Sequence, residues 1–155
     1  MSAYLLIWNP RQSRPADLND WIEAHKTGRY PIDGWSTGSR KNMRRNSRVF
    51  LLRCGLDPKG IVASGYCMEE PKTTHDDNDH AYYAEFVITA TLDADQGEVL
   101  PLTTLQNDEA FSKVTWVTQN CQQIPEDVVP YLETEWQRTL SLNQKTELEY
   151  PPTTD

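Results

Sequence analysis

The chain has 155 residues, 37% of them hydrophobic and 25% charged, with a formal net charge of −8. That length fits one domain with a real core, and no apolar run in the sequence is long enough to read as a membrane span. The net charge argues against a general nucleic-acid binder, which is usually basic, and the odd count of three cysteines with no Cys-x-x-Cys spacing argues against a disulfide framework or a structural zinc site.

The charge is unevenly spread. Gly38 to Cys54 holds six cations and no anion, whereas Glu69 to Glu98 holds nine acids against Lys72. Contact with a polyanion is therefore expected on the first segment and not on the second. A reducing cytoplasm is the simplest location for the three thiols.

Ala3 to Trp8 is a short apolar run ending at Asn9-Pro10, and it reads as a buried first strand rather than a signal peptide. Pro15 and Asp17 suit the start of a helix, with Leu18, Trp21, Ile22 and His25 at helical spacing and Gly28 as its stop.

Asp33-Gly34-Trp35-Ser36-Thr37-Gly38 then sets one aromatic plate beside two hydroxyls and two glycines. Trp35 can stack on a flat ring, and Ser36 and Thr37 can donate or accept. Arg40, Lys41, Arg44, Arg45, Arg48 and Arg53 follow. Plate, polar edges and cations together suit a nucleobase reader. A core tryptophan beside a solvated basic face is the competing reading.

Arg48 to Arg53 reads as a strand, Gly55 to Gly60 as a turn, and Ile61 to Cys67 as the partner strand of a hairpin. Ala63 and Gly65 alternate on one face, where something bulky can lie close to the backbone. Glu69 to His80 is an acidic loop, and Ala81 to Leu92 a long strand. Asp93 to Glu98 is a turn, Leu102 to Phe111 holds a short helix, and Val114 to Val117 forms a short strand around Trp116. From Pro125 the pattern is helical, with Val128, Tyr131, Leu132 and Trp136 as its apolar set. Proline inside a helix costs about 3 kcal/mol, so the main helix is expected to begin at Pro130. Residues 141–155 are polar and are expected to form a flexible tail to a domain spanning 1–140. A small mixed α+β barrel of five or six strands with two or three peripheral helices accommodates these elements.

Catalytic signatures are scarce. The sequence has no nucleophile elbow, phosphate-binding Gly-Lys-Ser/Thr loop, dinucleotide fingerprint or zinc-deaminase motif. His75 to His80 offers metal-ligand residue types at no compact spacing, which reads as a solvated loop. Cys54 and Cys67 lie in or beside strands and read as buried thiols. No cofactor is called for. Aromatic and polar groups remain: Trp8, Trp35, Trp116, Tyr30, Tyr66, Tyr82 and Tyr83 can line a base-sized pocket, and the amides of Asn9 and Gln119 can read a base edge.

Tyr4-Leu5-Leu6-Ile7-Trp8-Asn9-Pro10, Gly34-Trp35-Ser36-Thr37-Gly38, Arg48 to Arg53, Gly60 to Gly65 and Trp116 with Gln119 resemble, in this order and spacing, the EVE domain of the PUA-like superfamily, related to the YTH domain. The variant they most resemble occurs alone or fused to HNH-type or McrB-type restriction nucleases. The resemblance implies a PUA-like barrel and a non-catalytic reader that holds a modified base, either modified cytosine in DNA or methylated adenine in RNA. On it, Trp35 becomes a wall of an aromatic cage and Asn9 an edge reader, while Trp8, Tyr66 and Tyr82 become candidates for the second wall. The expected base site is Trp8, Asn9, Trp35, Ser36, Thr37, Tyr66, Trp116 and Gln119, with Arg40, Lys41, Arg44, Arg45 and Arg53 on the nucleic-acid backbone. The expected partners are DNA or RNA carrying a modified base, and a separate nuclease or restriction-system partner. The competing classes are a small ASCH-like enzyme acting on RNA or nucleotides, with Glu85, Lys59 and His75 as its ionisable groups, and an interaction module without nucleic acid.

Overall fold

A computed structural model describes residues 2–11, 18–38, 40–73, 82–116 and 121–149. Strands β1 (Ala3–Trp8), β2 (Ile32–Gly38), β3 (Arg48–Arg53), β4 (Gly60–Cys67), β6 (Tyr82–Thr91) and β8 (Cys121–Ile124) form a mixed sheet in the order β2-β6-β4-β3-β1-β8. Two-residue strands β5 (Lys72–Thr73) and β7 (Leu100–Pro101) add to β6 and β4. β1 runs parallel to β3, and the other pairs are antiparallel. Three helices decorate the sheet: α1 (Leu18–Lys26), α2 (Leu102–Asn107) and α3 (Val129–Leu142). The expected small α+β barrel is the observed architecture.

The alternation of side chains along each strand sorts the core into two layers. Tyr4, Leu6 and Trp8 of β1 join Val49 and Leu51 of β3, and Ala84, Phe86 and Ile88 of β6, inside the curl of the sheet. Leu18 and Trp21 of α1 pack onto this layer. Ala3, Leu5, Phe50 and Leu52 point the other way, under Leu105 of α2 and Leu132, Trp136 and Leu140 of α3. Because β1 and β3 are buried on both faces, they read as continuous apolar runs.

β2 has two glycines, one acid and two hydroxyls, and its propensity gives no strand signal. It forms because β6 supplies a ladder for its backbone. Gly34 has a steric reason: a Cβ there would meet Tyr83 Cε1 at 2.8 Å. Gly65 also lets something approach, but the neighbour is the Val87 carbonyl of the adjacent strand, 2.0 Å from where a Cβ would stand, and not a ligand.

The strand expected at Val114 to Val117 is not formed at residues 114–116. Val114 and Trp116 are buried and Thr115 is exposed. An irregular segment following a 3₁₀ turn thus reproduces the alternation of a strand. The strand comes later, as β8 against β1. Pro130 sits in the first turn of α3, where its missing N–H costs nothing.

The chain continues to pack beyond residue 140, where the flexible tail was expected. α3 runs to Leu142, and Leu148 donates its N–H to the Thr89 carbonyl at 2.9 Å. Glu147 reaches the buried Arg48, with Nη2 to Oε1 at 2.6 Å, and accepts from the Ser64 hydroxyl at 2.9 Å and from that of Thr89. Arg48 also donates to Glu133, and its guanidinium lies 4.9 Å from the centroids of both Phe50 and Tyr66. Composition reads 141–149 as polar, but the charge of Glu147 is matched inside the fold.

Candidate nucleic-acid interface

β2 is the end strand of the sheet path, and the curl brings it round toward β1 and β8. Trp35 stands at this seam. Its indole N–H donates to the Ile7 carbonyl of β1 over 3.4 Å, and the ring is half-buried against the inner core layer. Behind it lies a cavity of about 20 Å³, walled by Trp35 and Asp33 with Leu6, Leu51, Phe86 and Trp21. That is room for one water, far below the roughly 300 Å³ at which ligand pockets begin. A base can enter only if Trp35 moves, or it can stack on the outer face of the ring.

The remaining residues expected at the base site are spread over the molecule. Asn9 follows β1, but it is not among the cavity's lining residues. Its Oδ1 accepts from the Arg11 N–H at 2.9 Å, and its side chain packs where a Cβ on Gly55 would stand. Ser36 follows Trp35 directly and so projects to the opposite face, opposite Tyr83, where its Oγ accepts from the Gly38 N–H at 3.1 Å. Thr37 is buried and donates to the Arg40 carbonyl at 2.8 Å. Both hydroxyls hold the bend that ends β2.

Trp8 is 3% exposed in the inner layer, with the Arg53 guanidinium 5.6 Å from its ring centroid. Tyr66 is half-buried on the far face, beside Arg48 and the Glu133–Glu147 pair. Burial leads the effects that raise its phenol. Trp116 packs edge-on to Phe111 at 5.7 Å in the outer layer. Trp8 therefore shares the inner layer with Trp35 but is buried, whereas Tyr66 on the far face and Trp116 in the outer layer do not gather around Trp35. Tyr82, half-buried, starts β6 opposite Gly38. Gln119 lies outside the described residues, as do His75 and His80.

The basic run also divides. Arg53 is 6% exposed and donates to the Leu56 and Asp57 carbonyls at 3.4 and 3.2 Å, with Asp95 at 3.8 Å. It pins the β3–β4 turn. Arg40 is turned inward over the Tyr4 ring at 5.1 Å, and its positive charge works to lower the pKa of the Cys121 thiol. Burial still pushes that thiol up to about 11, and does the same to Cys67. Lys41, Arg44 and Arg45 are exposed. Arg44 and Arg45 line an open cleft of about 410 Å³ together with Asn42, Asn46 and Ser47, and Glu126 stands at the same cleft.

Asp33 is a residue to which the sequence reading assigned no role. It is two residues before Trp35 and therefore shares its face, opposite Phe86 as Trp35 is opposite Ala84. Its Oδ1 accepts from the Gly34 N–H at 2.8 Å. The spacing was the available signal, once β2 is known to be extended. Among the described residues no cluster of histidine, cysteine or acidic side chains could hold a metal ion, and no helix is long and apolar enough to cross a membrane.

No family model and no curated protein matches this sequence. Solved structures do match its fold. A hypothetical protein from Leishmania major aligns with a TM-score of 0.63 at 16% identity, over 94% of this chain and 98% of its own. The human THYN1 protein in complex with 5-methylcytosine-containing DNA gives 0.59 at 15% identity, over 94% and 99%. A protein from Pseudomonas syringae gives 0.59 at 11% identity, over 85% and 97%. At such identities the likeness is one of fold, and it agrees with the small α+β barrel.

Proposed function

We propose that this protein is a non-catalytic reader of a modified base in DNA, with modified cytosine as the ligand class. The observation that carries the reading is Trp35: a half-exposed indole at the open seam of the barrel, held by a long hydrogen bond, with a cavity behind it. The DNA bound by the human structural neighbour carries 5-methylcytosine, which favours cytosine over adenine and DNA over RNA.

The base would leave its stack and lie on Trp35. Extraction costs a few kcal/mol, and stacking on an aromatic returns about 1–3 kcal/mol. The balance must come from polar contacts and phosphates. Arg44 and Arg45, at their cleft with Asn42 and Ser47, are the side chains placed for flanking phosphates, with Lys41 beside them in the chain. Asn9 stays in the proposal as a contact reached when the seam opens, since it follows the strand whose Ile7 carbonyl holds Trp35. A nuclease acting as separate partner would supply further affinity through effective concentration, and a cytoplasmic location belongs to the same proposal.

The enzyme reading has less support. Glu85 is exposed opposite Gly34, and Lys59 is exposed in the β3–β4 turn, so these two groups do not share a site.

The test is titration of labelled oligonucleotides, identical except for cytosine or 5-methylcytosine at one position, against the wild type and Trp35→Ala. The expected result is tighter binding of the modified strand by the wild type, lost in the variant while its circular dichroism spectrum is retained. Equal affinity of the wild type for both strands would overturn the reading.

A further inference from the structure

Asp33 and Ser64 are the polar residues among those that line the cavity beside Trp35, where Leu6, Leu51 and Phe86 offer no hydrogen bond. A carboxylate in such a place is costly unless it is partnered. The Gly34 N–H is one partner, at 2.8 Å, and a carboxylate accepts at several sites at once, so a ligand N–H can join those already present. Residues two apart on a strand stand about 7 Å from each other along it. That distance suits a base that enters the cavity when Trp35 moves and lies on its ring with one edge turned to Asp33.

We propose that Asp33 is the specificity-determining residue of this site, accepting the N4 amine of a cytosine stacked on Trp35, so that 5-methylcytosine is bound and thymine is rejected. The inference rests on the reader function proposed above and adds the group that tells the two bases apart. 5-Methylcytosine and thymine have the same ring and the same methyl group, and apolar walls separate isosteres poorly. They differ at N3, a bare acceptor in cytosine and an N–H in thymine, and at position 4, the edge assigned to Asp33, where cytosine carries an amine and thymine a carbonyl. The amine donates to the carboxylate, giving a charge-assisted hydrogen bond. The carbonyl sets one acceptor against another, and both lose water without gaining a partner.

The experiment uses single-stranded DNA oligonucleotides that differ only in one 5-methylcytosine or one thymine, at one salt concentration, so that extraction from a duplex does not enter. The wild type is expected to prefer 5-methylcytosine by about ten- to hundredfold, the range of one hydrogen bond to a charged group. In Asp33→Asn the side-chain oxygen can still accept from Gly34, and the amide can turn its NH₂ toward the thymine carbonyl. The preference should fall toward parity, with weaker binding of 5-methylcytosine and a thermal melt close to that of the wild type. If Asp33→Asn binds 5-methylcytosine and keeps the full preference, the role of Asp33 is overturned and the reader function stands. If the wild type binds both strands tightly and alike, the role of Asp33 is again overturned. If the wild type binds neither strand, the reader function fails and takes the inference with it.

Discussion

The indole of Trp35 donates to the carbonyl of Ile7 across a seam where the sheet itself makes no ladder, since β2 pairs with β6 and β1 with β3 and β8. A half-buried aromatic thus bridges the two sides of the curl, and moving it enlarges the cavity behind it. Structure and proposed function meet on this one side chain.

Trp35→Phe separates its two contributions. Phenylalanine keeps a ring for stacking but lacks the N–H that reaches Ile7. Affinity for a modified-base oligonucleotide is expected to change little, whereas Trp35→Ala should lose about 1–3 kcal/mol, the worth of one base–aromatic stack. Fluorescence anisotropy titration measures both. Equal losses in the two variants would show that the hydrogen bond, not the ring face, matters.

Arg44 and Arg53 belong to one basic run in sequence, yet the structure gives them different tasks. Arg44 lines an open cleft and Arg53 is buried over Trp8. Arg44→Ala should weaken binding of every oligonucleotide alike and flatten the dependence of log K on log salt by about one unit. Arg53→Ala should leave that slope unchanged and lower stability by about 1–3 kcal/mol, because it releases the carbonyls of Leu56 and Asp57 in the β3–β4 turn. A salt titration and a denaturant melt on each variant separate the two roles.

The barrel was legible in the sequence where strands are buried on both faces. β1 is a continuous apolar run, β3 has one between its two arginines and β4 is mostly apolar, and Ala3–Trp8 and Arg48–Arg53 fall at their expected bounds. β2 was not legible, because a strand of Gly, Ser, Thr and Asp owes its form to its neighbour's ladder and not to its own propensity. The grouping of side chains around Trp35 was hidden for the same reason. Without β2 as a strand, Trp35, Ser36 and Thr37 look like one contiguous reader. With it, Ser36 is turned to the other face and Asp33 shares the face of Trp35. Glu147 carries no sequence signal at all, since its partner Arg48 lies 99 residues away.

His25 makes stability depend on pH near neutrality. Its Nε2 lies 3.0 Å from the Thr91 hydroxyl oxygen. Burial depresses its folded pKa below 6.5, against smaller raising effects from the Arg29 backbone and Glu147. The unfolded chain therefore takes up a proton that the folded chain refuses. The stabilisation is present above pH 6.5 and is lost as pH falls from there toward the folded value. Denaturant midpoints measured between pH 7.5 and 5.5 should decline in the wild type, and His25→Gln should flatten that decline.

Glu147 acts in a lower window and through a larger interaction. Burial works to raise its carboxyl, but hydrogen bonding and charge from Arg48, with the hydroxyls of Thr89 and Ser64, outweigh burial and hold it below 4.5. A carboxylate with a depressed folded pKa stabilises fully above its unfolded value and loses that contribution as pH falls through the folded value. Arg48 is 3% exposed in its side chain, so removing its counter-charge leaves a cation inside the fold. Breaking a buried pair costs about 3–5 kcal/mol. Because Glu133 remains on the same guanidinium at 2.9 Å, Glu147→Gln is expected at the low end of that range. The variant should also release the segment around Leu148 from Thr89, seen as faster amide exchange at Leu148. Below the folded pKa of Glu147 the wild type and the variant should converge, because both then present a neutral side chain to Arg48. Chemical melts at neutral pH and in acid measure the gap and its closure. A gap that persists in acid would mean that Glu147 stabilises by packing and not by charge.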